Sequence, residues 1–146
     1  RGRAKTKMDA KDIGKERIRR LDDGPWRLSP TTKAKWCPGF SLGSIVVHHS
    51  SPQGNILFSG RVCGLGENDD LDAFPLETDH SVKELVKSLR SLADESPEWD
   101  FEWLVPARGH AVHFPSAQDA RQALREAADR AESFLAKDNS SSTSAT

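Results

Sequence analysis

The clearest hydrophobic periodicity in the chain lies between residues 81 and 94. Five apolar residues recur there at the spacing of a single helix face: Val82, Leu85, Val86, Leu89 and Leu92. Ser81 and Glu84 have the spacing of a capping box, in which each residue satisfies a free backbone N–H of the first turn. The pattern therefore predicts an amphipathic helix over 81–94 whose apolar face packs on a sheet.

A second helix is predicted to begin at Ser116, because Asp119 stands at the box position three residues later. Its apolar stripe consists mainly of alanine: Ala120, Leu124, Ala127, Ala131 and Phe134. The segment that follows, residues 137–146, is rich in Ser and Thr and has the composition of a disordered tail.

Four segments have the β-branched or alternating pattern of strands: 32–36, 44–49, 56–59 and 99–105. Residues 52–55 have the composition of a turn, so the second and third strands should form an antiparallel hairpin. The acid-rich segment 67–79 is predicted to be an exposed loop. Together these elements predict an α/β (α+β) fold, with a largely antiparallel sheet and helices on one face.

Charge changes this picture mainly at the N-terminus. Residues 1–20 hold nine of the 21 Lys and Arg residues, although the whole chain has a formal net charge of -1. This pattern suits a surface helix over 1–17 and a short strand over 17–21. The basic residues Arg1, Arg3, Lys5 and Lys7 could contact nucleic-acid phosphates, but such runs are more often solvated.

The two cysteines, Cys37 and Cys63, lack the spacing of a metal site, which favours a reducing compartment and buried thiols. No apolar run approaches the length of a membrane span, so we expect a soluble protein. These features exclude a disulfide scaffold and a membrane-spanning chain as starting hypotheses.

Three segments, in order along the chain, resemble landmarks of the metallo-β-lactamase superfamily. Residues 37–44 (CPGFSLGS) are similar to the T-P-G-H-T-x-G-S element, and residues 57–61 (LFSGR) to the L-F-T-G-D strand end. Residues 103–110 (WLVPARGH) resemble the strand and P-G-H-G turn, and the predicted helix lies between them as in the family. The resemblance spans roughly residues 15–115 and implies the C-terminal half of an αββα sandwich.

The Gly-Pro-Trp at residues 24–26 further resembles the plastid-type members of plants and algae, which can carry a ferredoxin-like segment. The resemblance implies a location in the plastid, in the chloroplast stroma. It also implies three domains or segments: a basic N-terminal segment over 1–15, a lactamase-like half-domain over 16–136 and the tail over 137–146.

The departures from the family pattern bear on function. Phe40 stands where the family has a zinc-binding histidine, and a phenyl ring has no lone pair for a metal. Arg61 replaces the aspartate that bridges two metals, and its cationic guanidinium would repel Zn²⁺. Of these vestigial positions only His110 keeps a ligand, and the principal H-x-H-x-D-H motif is absent from the chain. We therefore expect no metal, no other cofactor and no catalytic residue.

Other candidate residues have structural interpretations. His48 and His49 are neighbours on a predicted strand, so their side chains point to opposite faces and cannot chelate one ion. His113 has no acidic or thiolate partner nearby in sequence, and neither Ser41 nor Ser59 has a sequence-evident base. The four tryptophans are predicted to pack in the core or cover hairpins, with an aromatic binding surface as the alternative: Trp26, Trp36, Trp99 and Trp103.

The sequence thus favours a non-catalytic metallo-β-lactamase-like module that acts in protein interaction or structure. Half of a two-sheet sandwich leaves an apolar sheet face uncovered, which predicts a protein partner or self-association. The alternative is a fragment of a zinc-dependent hydrolase of the glyoxalase II or ribonuclease Z type, whose metal site lies mainly in an N-terminal half.

Overall fold

In a computed structural model, the chain is described over residues 20–76 and 79–141. The strands of this part, in chain order, are β1 (Trp26–Arg27), β2 (Thr32–Trp36), β3 (Ile45–Ser51), β4 (Gly54–Gly60), β5 (Gly64–Leu65), β6 (Leu71–Asp72), β7 (Trp103–Pro106) and β8 (Val112–His113). The helices are α1 (Val82–Asp94), between β6 and β7, and α2 (Ala117–Ser141), after β8.

Six of the strands form one sheet in the order β1-β2-β3-β4-β7-β8, and β5 pairs with β6 in a separate ribbon. Neighbouring strands of the large sheet are antiparallel except for β4 and β7, which are parallel because α1 connects the two halves of the sheet. The predicted α/β (α+β) fold with a mostly antiparallel sheet is therefore confirmed.

The predicted hairpin is present as the antiparallel pair of β3 and β4. Ser51 pairs with Gly54, which leaves Pro52 and Gln53 as the connecting residues. Gly54 has a φ of +119°, where a side chain would be strained, and an added Cβ would lie 3.0 Å from the Glu102 carboxylate. The turn therefore depends on glycine, and β4 begins two residues earlier than the sequence indicated.

The core lies between the two helices and one face of the large sheet. Ser81 caps α1 by accepting a hydrogen bond from the Glu84 backbone N–H at 3.1 Å, which is one half of the predicted capping box. The other half is not formed, because the Ser81 N–H donates to the Gly39 carbonyl at 2.9 Å. All five residues of the predicted α1 face are buried. Four residues of the predicted α2 stripe are completely buried as well: Ala120, Leu124, Ala127 and Ala131.

We call the sheet face under the helices the closed face and the opposite one the open face. Cross-strand partners share a face, so the register assigns each strand residue to one or the other. The closed face includes Val46, His48, Leu57 and Leu104, all at most 3% exposed. The helices thus lie on one face, as predicted.

Two predictions about elements are wrong in part. Trp99 and Phe101 belong to the connection before β7, where both are buried in the core, so the predicted strand starts too early. The acid-rich segment 67–79 contains β6, in which Leu71 is buried against the core rather than exposed in a loop. Apolar burial outweighs the polar composition around it.

The chain ends also differ from expectation. Leu21 lies in a short 3₁₀ helix over Leu21–Asp23 and not in a strand. Residues 137–141 continue α2, although they were predicted to be part of a disordered tail. The predicted helix over 1–17, the basic residues Arg1, Arg3, Lys5 and Lys7, and residues 142–146 lie outside the described residues.

Candidate functional site

Two of the three vestigial positions meet at one edge of the sheet. Phe40 lies in the loop after β2, and Arg61 directly follows the end of β4. The Arg61 Cζ atom lies 4.4 Å from the centroid of the Phe40 ring, in a cation–π contact. The two residues that the sequence resemblance predicted to stand at metal-ligand positions therefore pack against each other.

A second stack of the same kind lies beside the first. The Arg108 Cζ atom is 4.0 Å from the centroid of the Phe74 ring. Arg61 and Arg108 both line a cavity of about 40 Å³ together with the two phenyl rings and Cys63. Both also line an adjoining concavity of about 240 Å³. We call these four side chains, Arg61 on Phe40 and Arg108 on Phe74, the double stack.

The backbone around the double stack is closely packed. The Leu65 N–H donates to the Arg108 carbonyl at 3.2 Å, which ties β5 to the turn after β7. A Cβ added to Gly64 would lie only 2.7 Å from the Arg108 carbonyl oxygen, so glycine permits this approach. Arg108 is therefore held at its backbone as well as at its guanidinium.

His110, the third vestigial position, does not join the other two. Its Nε2 atom lies 3.4 Å from Asp69 Oδ1, and the two side chains are 65% and 62% exposed. It does not line the cavity of Phe40 and Arg61. A contact this exposed contributes little to stability, so His110 is a surface residue here.

The residues at this edge do not fit a zinc centre. A phenyl ring offers no ligand atom, and the guanidinium of Arg61 is a cation at every physiological pH. Burial raises the pKa of the Cys63 thiol to about 12, so it is not available as the thiolate that binds metals. Within residues 20–76 and 79–141, no three His, Cys, Asp or Glu side chains form a group that could hold a metal ion.

His48 and His49 lie on opposite faces of the sheet, as predicted. His48 is buried on the closed face, where its Nε2–H donates to the Asp100 carbonyl at 2.8 Å and its ring packs edge-on against Trp99. Burial lowers the pKa of His48, so the neutral ring is favoured in the folded protein. His49 Nδ1 lies 2.8 Å from the hydroxyl of Thr32 on the open face.

The remaining candidates have structural roles. The Ser59 hydroxyl is buried and donates to the Cys63 carbonyl at 2.9 Å, and the Ser41 and Ser44 hydroxyls are 2.8 Å apart. These contacts satisfy polar groups and provide no base for a nucleophile. Cys37 is a buried free thiol whose pKa burial raises to about 12, in line with the predicted inert role. His113 packs against the Trp103 ring at 4.6 Å.

The open face is the other feature that a function could use. Cross-strand partners place a largely apolar set of side chains on it: Ala34, Val47, Phe58, Val105, Trp36, Ile45, Ile56 and Trp103. Ile45 is 42% exposed, Phe58 41% and Trp103 36%. No Asp, Glu, Lys or Arg occupies a strand position on this face of the described sheet.

The tryptophans divide between the two faces. Trp99 is a core residue at 1% exposure, and the Lys33 ammonium lies 4.5 Å from its ring centroid. Trp36 and Trp103 belong to the open face, where they are partly exposed. The prediction of core packing is therefore confirmed for Trp99. The positions of Trp36 and Trp103 fit the alternative prediction of an aromatic surface.

Sequence reasoning missed the Arg108–Phe74 stack. Phe74 lies in the segment that was predicted to be an exposed loop. Arg108 lies in the turn of which only His110 was considered as a candidate site residue. The sequence offered one signal for this stack. An arginine, Arg108, lies in the P-A-R-G-H segment that resembles the P-G-H-G turn.

No family model and no curated protein matches the chain. A similar solved structure is an archaeal metallo-β-lactamase superfamily protein from Sulfolobus tokodaii, with 16% sequence identity and a TM-score of 0.49. The likeness covers 72% of this chain and 35% of that one, so the chain spans about a third of that protein's length.

Within the described residues, no helix is both long enough and apolar enough to cross a membrane.

Proposed function

We propose that the chain is a non-catalytic metallo-β-lactamase-like module that binds a protein surface through its open face. The open face carries this proposal, because it places exposed Ile45, Phe58 and Trp103 on a sheet surface without a formal charge. Covering apolar surface stabilises an assembly by about 25 cal/mol for each Å² removed from water. Contiguous apolar patches of this kind mark interaction sites in folded proteins.

The double stack supports the non-catalytic part of the proposal. Phe40 and Arg61, which the sequence resemblance predicts to stand at metal-ligand positions, are in contact with each other. The cavity beside them is about 40 Å³, little more than the roughly 30 Å³ that one water occupies. Pockets for drug-sized ligands are roughly 300–1,000 Å³, so this cavity does not accommodate a substrate of that size.

We propose a second copy of the chain as the occupant of the open face. Two such faces can meet across a two-fold axis, which brings the same patch of each copy together. Aligned sheets pack about 10 Å apart with their apolar side chains interdigitated. Because the described strand positions of this face carry no Asp, Glu, Lys or Arg, the approach of two copies meets no repulsion between the charges of such residues there.

Sedimentation velocity over a range of concentrations tests this proposal with the variants Phe58→Lys and Leu28→Lys. We expect the unaltered chain to form a dimer and Phe58→Lys to be monomeric, because the dimer would bury an unpaired ammonium. Leu28 is 58% exposed and lies outside the strands, so Leu28→Lys is a matched control that should still dimerise.

Circular dichroism and cooperative unfolding of Phe58→Lys would establish that the variant is folded. A chain that stays monomeric at every concentration would refute the proposal, as would a dimer that Phe58→Lys leaves unchanged. The plastid location, implied by the resemblance at residues 24–26, stays a prediction.

A further inference from the structure

We propose that Arg61 and Arg108 form an oxyanion-binding site for a phosphate group. Arg61 and Arg108 line the same concavity of about 240 Å³, and Ala107 completes its lining. This inference is independent of the open face, since it concerns a different edge of the molecule and different residues.

Arg61 and Arg108 differ from the other arginines in the described part of the chain. Five arginines have a carboxylate within ion-pair distance: Arg20, Arg90, Arg121, Arg125 and Arg130. Arg27 donates to backbone carbonyls instead. Within residues 20–76 and 79–141, neither Arg61 nor Arg108 has a hydrogen-bonding or ionic partner, so their N–H donors remain free for a ligand.

The double stack also holds both guanidinium groups in place before a ligand arrives. A guanidinium stacked on a ring uses its flat face for the contact and keeps its N–H edge free. The Cζ-to-centroid distances of 4.4 Å and 4.0 Å show that both cations are seated on their rings. Groups that are already ordered lose less conformational entropy on binding.

The fold brings the two arginines together. β4 and β7 are parallel, so their carboxyl ends meet at one edge of the sheet, and Arg61 and Arg108 follow those ends. The Ala107 N–H donates to the Gly60 carbonyl at 2.9 Å and ties the two chain segments together. Ligands of open sheets with parallel strands commonly bind at this edge.

Two acidic side chains of the neighbouring β6 segment, Asp69 and Asp72, contact other groups. The Asp72 carboxylate accepts the Ala73 N–H at 2.7 Å and lies 3.9 Å from the Arg130 guanidinium. Asp69 is paired with His110. Among residues 20–76 and 79–141, no carboxylate forms an ion pair with Arg61 or Arg108.

The geometry favours a phosphate over a carboxylate. Each guanidinium can donate two parallel N–H bonds, and a phosphate offers enough oxygen acceptors for two such forks. A carboxylate has only two oxygens, which a single arginine can occupy. The concavity of about 240 Å³ is smaller than a typical site for a drug-sized ligand, which suits a single anionic group.

Titration of the nitrogen-labelled chain, followed by NMR at low ionic strength, tests the site with inorganic phosphate, phenyl phosphate and acetate as probes. We expect saturable shifts of the Arg61 and Arg108 side-chain signals with both phosphates and weaker binding of acetate. Tighter binding of phenyl phosphate than of inorganic phosphate would assign the site to organic phosphate esters, and the reverse order to the free ion.

Arg61→Gln and Arg108→Gln should each weaken phosphate binding roughly tenfold or more, as expected when a charge-assisted hydrogen bond is lost. Arg27→Gln removes the same charge from an arginine outside the site and should leave binding unchanged. Arg61→Lys keeps the charge without the fork and should fall between the unaltered chain and Arg61→Gln. Absence of saturable binding, or an equal loss in Arg27→Gln, would overturn the proposal.

Discussion

Both faces of the large sheet carry apolar side chains, yet one of them is covered much more completely than the other. On the closed face Val46, Leu57 and Leu104 are completely buried by α1 and α2. On the open face Ile45 is 42% exposed and Phe58 41%, although the adjacent residues Val46 and Leu57 are buried. Both faces of these strands carry apolar side chains, and the described chain covers the closed face more completely than the open one.

The run Ile56-Leu57-Phe58 in β4 shows the same difference within one strand. A strand with one face in water alternates apolar and polar residues, whereas a strand covered on both faces is apolar throughout. β4 has the second pattern. The two faces of β4 therefore differ in burial although both carry apolar side chains, as the proposed self-association of the open face would require.

The largest effect should come from truncating neighbouring residues on the two faces. Leu57→Ala removes a completely buried side chain and should lower the free energy of unfolding by about 2–5 kcal/mol. Phe58→Ala should lower it by less than about 1 kcal/mol in the monomer, because that ring is 41% exposed. Urea unfolding at low protein concentration measures both.

Equal losses of stability in Leu57→Ala and Phe58→Ala would contradict the comparison. They would mean that the open face is already covered within the chain itself. A loss in Phe58→Ala that grows with protein concentration would instead sharpen the comparison, because it would separate the stability of the dimer from that of the monomer.

A smaller effect should distinguish the adjacent histidines of β3 by their pH dependence. Burial lowers the pKa of His48 below its ordinary value of 6.5, so the unfolded chain binds more protons than the folded one just below that pH. Stability is therefore complete above 6.5 and is lost as the pH falls toward the lowered pKa.

His48→Gln should reduce this acid sensitivity, since glutamine can still donate to the Asp100 carbonyl but does not titrate. His49→Gln, on the open face, should leave the acid sensitivity unchanged. Urea midpoints above and below pH 6.5 compare the two variants with the unaltered chain. Acid sensitivity that disappears in His49→Gln and persists in His48→Gln would reverse our assignment of the buried histidine.

Sequence patterns predicted the elements that are determined by residues close together in the chain. The α1 face and its Ser81 cap follow directly from spacing, and the hairpin follows from the turn between two apolar runs. The strand around Trp99 was misjudged because Trp99 and Phe101 alternate like a strand while they pack into the core from a connection. The burial of Leu71 depends on α2, more than 40 residues away, and no local pattern contains it.

The candidate site was predictable in part for a related reason. The sequence singled out Phe40 and Arg61 as departures from a family pattern, but their mutual contact depends on the pairing of distant segments. Phe74 carries no motif at all, so its stack with Arg108 could be found only from the fold. His110 was singled out by its motif, and the structure places it outside the cavity of the other two.

Zinc content, measured by elemental analysis of the purified chain after refolding with excess zinc and thorough desalting, tests the central claim most directly. Because Phe40 and Arg61 stack together and the edge offers no set of ligands, our account predicts far less than one zinc ion per chain. Zinc close to one ion per chain would contradict the account and favour the zinc-dependent hydrolase alternative, with His110, His113, His48 and Cys37 as the first residues to mutate.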